Sequence, residues 1–143
     1  MNEYSLGGLI PILKKRRAQP EHKLQVECIT WFKLQYPKRI IMAIPNGMFV
    51  KNIVIAKKAV DEGLKKGMPD IFIPEPMFAI NILGERVWLH GLWIEMKNGT
   101  KGVLSDEQLE NIAALNERGY VAEVATSFNE FQEIVNRYFP KRR

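Results

Sequence analysis

The chain has 143 residues, a length that holds one domain with a substantial core. Hydrophobic residues make up 46% and charged residues 26%, which excludes a disordered or fibrous chain but names no function. Lys and Arg number 21 against 16 Asp and Glu, a net charge of +5 that favours polyanionic partners; the single cysteine, Cys28, excludes an intramolecular disulfide and a cysteine-based zinc cage.

No apolar run approaches the ~20 residues of a membrane span. Leu6 to Leu13 is apolar, but the cations Lys14, Lys15, Arg16 and Arg17 follow it, the reverse of a signal peptide, and no small-residue cleavage site is present. The expected location is therefore intracellular, in the cytoplasm. Residues 1–20 carry Gly7, Gly8, Pro11 and Pro20 around these cations without a sustained period, and read as a basic arm before a single domain over 21–140. Its charges suit phosphates or plain solvation equally.

Glu21 to Tyr36 has a helical pattern, with Leu24, Cys28, Trp31 and Phe32 spaced by three and four, and stops before Pro37. Cys28 in that stripe reads as a buried, inert thiol. Glu27 lies three residues after Leu24 and four before Trp31, which points it along the stripe, where a carboxylate needs a partner. An exposed pair with Lys23 is the competing reading. Arg39 to Pro45 reads as a strand closed by the turn Asn46-Gly47.

Val50 to Leu64 suits a second helix, and this region bears Lys51, Lys57, Lys58, Lys65 and Lys66. Such cations fit a phosphate backbone or a solvated face. Asp70 opens a short apolar strand, Ile71 to Ile73. Met77 to Leu83 and Arg86 to His90, around Gly84-Glu85, predict an extra hairpin whose apolar residues extend the sheet or form a subunit contact. His90 reads as structural. Asn98 to Val103 is a glycine-bearing loop with Lys101, and it lacks the spacing of a P-loop.

Ser105 starts a helix to Arg118 with Gly119 after it, and Ser105-x-x-Gln108 has the form of a capping box. Tyr120 to Ala125 predicts a strand and Ser127 to Tyr138 an amphipathic helix, before a basic tail at 141–143.

The chemistry concentrates between Gly67 and Gln108. In the strand Leu92-Trp93-Ile94-Glu95-Met96-Lys97, alternation puts Glu95 and Lys97 on one face, roughly 7 Å apart, and Leu92, Ile94 and Met96 on the other. If the Asp70 strand pairs with it, Asp70 and Glu95 converge and offer the oxygen donors that Mg²⁺ selects. Spacing alone equally allows a surface Glu95–Lys97 pair and an unrelated Asp70.

An Asp followed by Glu-x-Lys across two strands resembles the signature of the PD-(D/E)XK, restriction-endonuclease-like phosphodiesterases. Within that superfamily the chain resembles the VRR-NUC domain. The matching pieces are Ile44-Pro45-Asn46-Gly47, Gly67-Met68-Pro69-Asp70-Ile71, Gly91 to Lys97, and Leu104-Ser105-x-x-Gln108 followed by Leu115-x-x-x-Gly119-Tyr120. With Glu27 on the first helix, the match runs from about Glu21 to Phe139 in the expected order.

The resemblance implies an α/β fold with a restriction-endonuclease-like core, a central mixed sheet flanked by helices, here with the extra hairpin between the Asp70 and Glu95 strands. It implies a structure-selective DNA endonuclease, acting on branched or four-way junction DNA as a homodimer, with Mg²⁺ as cofactor and Mn²⁺ able to substitute. The implied metal ligands are Asp70, Glu95, Glu27 and the Met96 carbonyl. Lys97 stabilises charge, Gln108 contacts the catalytic site, and Asn46 lies near it. Lys57, Lys58 and Lys101 are candidate substrate contacts. The alternative is a non-catalytic nucleic-acid-binding module on the same scaffold; an interaction domain for an acidic protein is a third reading, one that predicts no salt-sensitive DNA affinity.

Overall fold

The computed structural model describes residues 20–45, 52–99 and 102–141. The basic arm, the Asn46-Gly47 turn, Lys51 and Lys101 lie outside them. In chain order the elements are α1 (Pro20–Gln35), β1 (Met42–Ala43), α2 (Ile53–Asp61), β2 (Ile71–Ile73), β3 (Met77–Ile80), β4 (Arg86–Leu89), β5 (Leu92–Met96), α3 (Asp106–Glu117), β6 (Val121–Ala125) and α4 (Phe128–Tyr138).

Among the described residues, one sheet has the order β1-β2-β5-β6. The β1–β2 and β2–β5 pairs are antiparallel and β5–β6 is parallel. The parallel pair requires a crossover, and α3 supplies it. Its ends are set locally: Ser105 caps the start, and Gly119, at φ +85°, turns the chain toward β6. Ser127 likewise caps α4, its hydroxyl accepting from the Glu130 N–H at 3.1 Å.

Alternation divides the sheet into two chemically distinct faces. Ile71 and Ile73 of β2, Leu92, Ile94 and Met96 of β5, and Ala125 of β6 are buried on the first, against Cys28 and Phe32 of α1 and Phe131, Ile134 and Val135 of α4. Burial, followed by the nearby Glu27 carboxylate, pushes the Cys28 thiol up to about 12, so it is inert at neutral pH. On the second face Phe72 stacks on Trp93 at 4.2 Å between ring centroids, and Tyr120 meets both edge-on. α3 meets this face where its Gln108 reaches Glu95.

Two elements are shorter than their sequences suggest. The strand expected over Arg39 to Pro45 shrinks to Met42–Ala43, because Arg39 and the Ile40 N–H are instead held by the Glu75 carboxylate, each at 3.1 Å. The helix expected over Val50 to Leu64 is Ile53–Asp61, started by Asn52, whose side chain accepts from the Val54 N–H at 2.8 Å. Lys65 and Lys66 fall beyond its end. The hairpin between the Asp70 and Glu95 strands is present, as a separate two-stranded sheet of β3 and β4. Asn81 closes it, its side chain accepting from the Leu83 and Glu85 N–H groups.

Candidate active site

Strand register brings the two carboxylates together. Ile71 is paired with Ile94 and Phe72 with Trp93, so one step further along the antiparallel pair Asp70 stands opposite Glu95. Directly opposed residues hold their Cβ atoms about 5 Å apart. Asp70 Oδ2 accepts from the Met96 N–H at 2.8 Å. The residue facing Met96 in this register is Pro69, which has no N–H, so the ladder ends here and Pro69 offers the Met96 carbonyl no donor.

Glu95 is 2% exposed, on a strand whose other face is core. Its Oε1 accepts from Gln108 Nε2 at 2.6 Å and pairs with Lys97 Nζ at 3.1 Å. Its Oε2 is buried without a hydrogen-bond partner; among the described residues the other such side-chain atom is Trp93 Nε1. Burial, then the Asp70 charge, pushes the Glu95 carboxyl up to about 7, against the opposing pull of Lys97. Two acids and an amine two residues along the strand therefore form one electrostatic unit. The Lys97 side chain is 13% exposed, and Gly102 makes room for it: a Cβ there would stand 2.7 Å from the Lys97 Cβ and 2.8 Å from its Cδ.

Gln108 makes both of the contacts that its sequence position left in competition. Its Oε1 accepts from the Ser105 N–H at 3.0 Å, and Ser105 Oγ accepts from the Gln108 N–H at 3.2 Å, completing the capping box. A backbone N–H only donates, so the amide oxygen must face Ser105, and the amide nitrogen is thereby turned to Glu95. The cap fixes the side chain that steadies the carboxylate.

The structure places Glu27 outside the lining of the cleft beside Asp70. Glu27 is exposed, and a cleft of about 420 Å³ beside Asp70 is lined from α1 by Glu21, Gln25 and Ile29, with Ala43, Ile44 and Met96 opposite. Glu21, Gln25 and Ile29 recur every four residues along one face, and Glu27 lies nearly half a turn away around the axis. The α1 acid near the carboxylate pair is Glu21, whose charge also raises the Glu95 carboxyl. The signal that could have found it is its helical phase: three residues before Leu24 and seven before Cys28, Glu21 continues the Leu24–Cys28–Phe32 stripe at the start of the helix.

No group of three or more His, Cys, Asp or Glu side chains in a metal-holding arrangement occurs among the described residues, so the three-carboxylate set expected with Glu27 is not formed. What is present is a pair of carboxylates. It fits a hard divalent cation all the same: the buried, unpartnered Glu95 Oε2, the Asp70 carboxylate opposite and the Met96 carbonyl are oxygen donors, and Mg²⁺ keeps several of its waters and needs only one or two carboxylates. Lys57 and Lys58 lie exposed on α2, Lys58 paired with Glu62 at 3.7 Å. Asn46 and Lys101 lie outside the described residues.

No curated protein matches the chain. A solved structure described as a VRR_NUC domain protein is similar to it, with a TM-score of 0.63 and 27% sequence identity over 82% of this chain and 86% of the other. The VRR-NUC domain family matches residues 10–129. With the mixed sheet, the opposed Asp70 and Glu95 and the match across most of its length, the chain belongs to the VRR-NUC domain family, a nuclease-type domain of the PD-(D/E)XK superfamily.

Proposed function

We propose that this domain is a Mg²⁺-dependent DNA endonuclease whose centre is Asp70, Glu95 and Lys97, steadied by Gln108. The observation that carries the reading is the division of labour on one buried carboxylate: Glu95 Oε1 is taken up by Gln108 and Lys97, and Oε2 has no partner. Leaving a carboxylate oxygen buried and unpaired costs stability, and such orphans mark functional centres or ion sites.

Asp70, Glu95 Oε2 and the Met96 carbonyl would hold the cation, with Glu21 at the edge of the same cleft. When bound, a divalent cation lowers the pKa of water and offsets charge building on the phosphate; Mn²⁺ meets the same donors. Lys97, paired with Glu95 Oε1, offers a positive charge to the scissile phosphate. Gln108 holds Glu95 Oε1, so the second oxygen keeps one orientation through the reaction. Water attacks phosphorus, one P–O ester bond breaks, and a phosphate monoester and a hydroxyl remain.

The same reading extends to the substrate and the assembly. The hairpin of β3 and β4 leaves Phe78, Ile80, Ile82, Leu83 and Trp88 exposed, and a two-stranded sheet is marginal without support. We take it as the contact of a homodimer, whose two-fold axis would present two centres to two strands of a branched or four-way junction DNA. Lys57, Lys58, Lys101 and Asn46 are the proposed substrate contacts.

The test is incubation of purified protein with labelled linear, flap and four-way DNAs in Mg²⁺, Mn²⁺ or chelator, beside Asp70→Ala and Lys97→Ala. Metal-dependent cleavage lost in both variants is expected. Cleavage undiminished in Lys97→Ala would refute the assignment, and tight, salt-sensitive binding with no cleavage in any metal would return the domain to a binding module.

A further inference from the structure

Asn111 is the buried residue of α3, 7% exposed. A helix that docks by hydrophobic packing buries leucines or isoleucines, so a buried amide at its tightest point implies a positional demand. Its Nδ2 donates to the Lys66 carbonyl at 2.9 Å. Next to that carbonyl, Gly67 sits at φ +76° against the helix, so close that a Cβ there would stand 2.8 Å from the Glu107 Cβ, 3.0 Å from the Glu107 backbone carbon and 3.1 Å from Asn111 Nδ2. Lys66 and Glu107 add an attraction of opposite charges across the same contact.

These contacts have consequences at both carboxylates. The turn gripped by Asn111 leads through Met68 and Pro69 directly into Asp70. Gln108, one turn earlier on the same face of α3, grips Glu95. The first two turns of α3 thus touch both segments that carry the acids, and a shift of the helix on the turn moves Gln108 relative to Glu95.

We propose that Asn111 is a positioning residue: by locking α3 to the Lys66-Gly67 turn it keeps Gln108 in register with Glu95. The proposal rests on the nuclease reading for its effect on rate, but not for its effect on geometry.

The experiment compares Asn111→Leu, which keeps the branched shape at a larger volume and drops the donor, and Asn111→Ala, each alone and combined with Gln108→Ala. Steady-state cleavage in Mg²⁺ is measured below the melting temperature of every variant, and the Gln108 side-chain amide is followed by NMR. Asn111→Leu is expected to lower kcat by roughly tenfold or more with KM little changed, because small misplacements of reacting groups are costly. The Gln108 amide resonance should move toward its solvent-exposed position, and the double variant should be no slower than Gln108→Ala alone. Purely additive losses, or an unmoved Gln108 resonance, would overturn the proposal and leave Asn111 a structural residue. If the parent protein does not cleave DNA but the resonance moves, the positioning role stands and the nuclease reading falls.

Discussion

Gln108 donates to Glu95 at 2.6 Å from a side chain whose other end is fixed by its own helix cap. Capping and catalytic support can be separated by one substitution. In Gln108→Glu the carboxylate still accepts from the Ser105 N–H, so the capping box survives, but an acceptor now faces Glu95 Oε1. Thermal stability should change by less than in Gln108→Ala, which loses the side-chain half of the capping box and about 1 kcal/mol. Cleavage should fall about 10- to 100-fold in both, as for other residues that orient a metal ligand. A Gln108→Glu enzyme as active as the parent would show that the amide serves the helix alone.

Lys97 and Gly102 make a second pair. Lys97→Met keeps the aliphatic stem and removes the charge, and should lower kcat by about 10²-fold or more if the ammonium meets developing charge on the phosphate. Gly102→Ala keeps the ammonium but drives a methyl into the stem, with its Cβ at 2.7 Å from the Lys97 Cβ. It should lower kcat in the same direction by a smaller factor. Unchanged kcat for both, measured on the same DNA, would remove Lys97 from the reaction.

The buried Glu95 carboxyl gives a stability profile with a definite sign. Its ordinary value is 4.5 and the fold raises it to about 7, chiefly by burial and the Asp70 charge. Between those limits the folded state binds the proton more tightly than the unfolded chain, so this group's contribution is fully present below pH 4.5 and is lost as pH rises through about 7. In metal-free protein the loss is on the order of 3 kcal/mol, and Glu95→Gln should abolish the decline. Mg²⁺ competes with the same proton, so its affinity should rise about tenfold per pH unit below pH 7 and then level off. Chemical denaturation across pH 4 to 9, with and without Mg²⁺, measures both effects.

The strand carrying Glu95 was legible because its alternation is strict: Leu92, Ile94 and Met96 are core, and Glu95 and Lys97 share the opposite face. The hairpin and the α3 caps were legible because turn and cap residues state their geometry locally. β1 was not, since a run such as Ile40 to Ile44 reads as a full strand, and only the distant Glu75 shows where its start is diverted. Asn111 was invisible for the same reason: its partner is a backbone carbonyl 45 residues away. The placement of Glu27 is a matter of helical phase. Its spacing to Leu24 and Trp31 places it at the border of the stripe, and the buried line runs through Cys28 and Phe32 instead.

That phase difference yields the sharpest comparison between two acids of α1. Glu21 lines the cleft beside Asp70 and adds to the negative potential at Glu95, whereas Glu27 is exposed away from that cleft. Glu21→Gln removes one charge from the cation's surroundings and should weaken Mg²⁺ binding several-fold, with a parallel rise in the Mg²⁺ concentration needed for half-maximal cleavage. Glu27→Gln should leave both within about twofold of the parent, because an exposed charge that does not line the cleft is screened by solvent. Calorimetric titration of Mg²⁺ into each variant decides between them. A larger loss in Glu27→Gln than in Glu21→Gln would mean that α1 turns on its axis when the cation binds, bringing the later acid to the carboxylate pair.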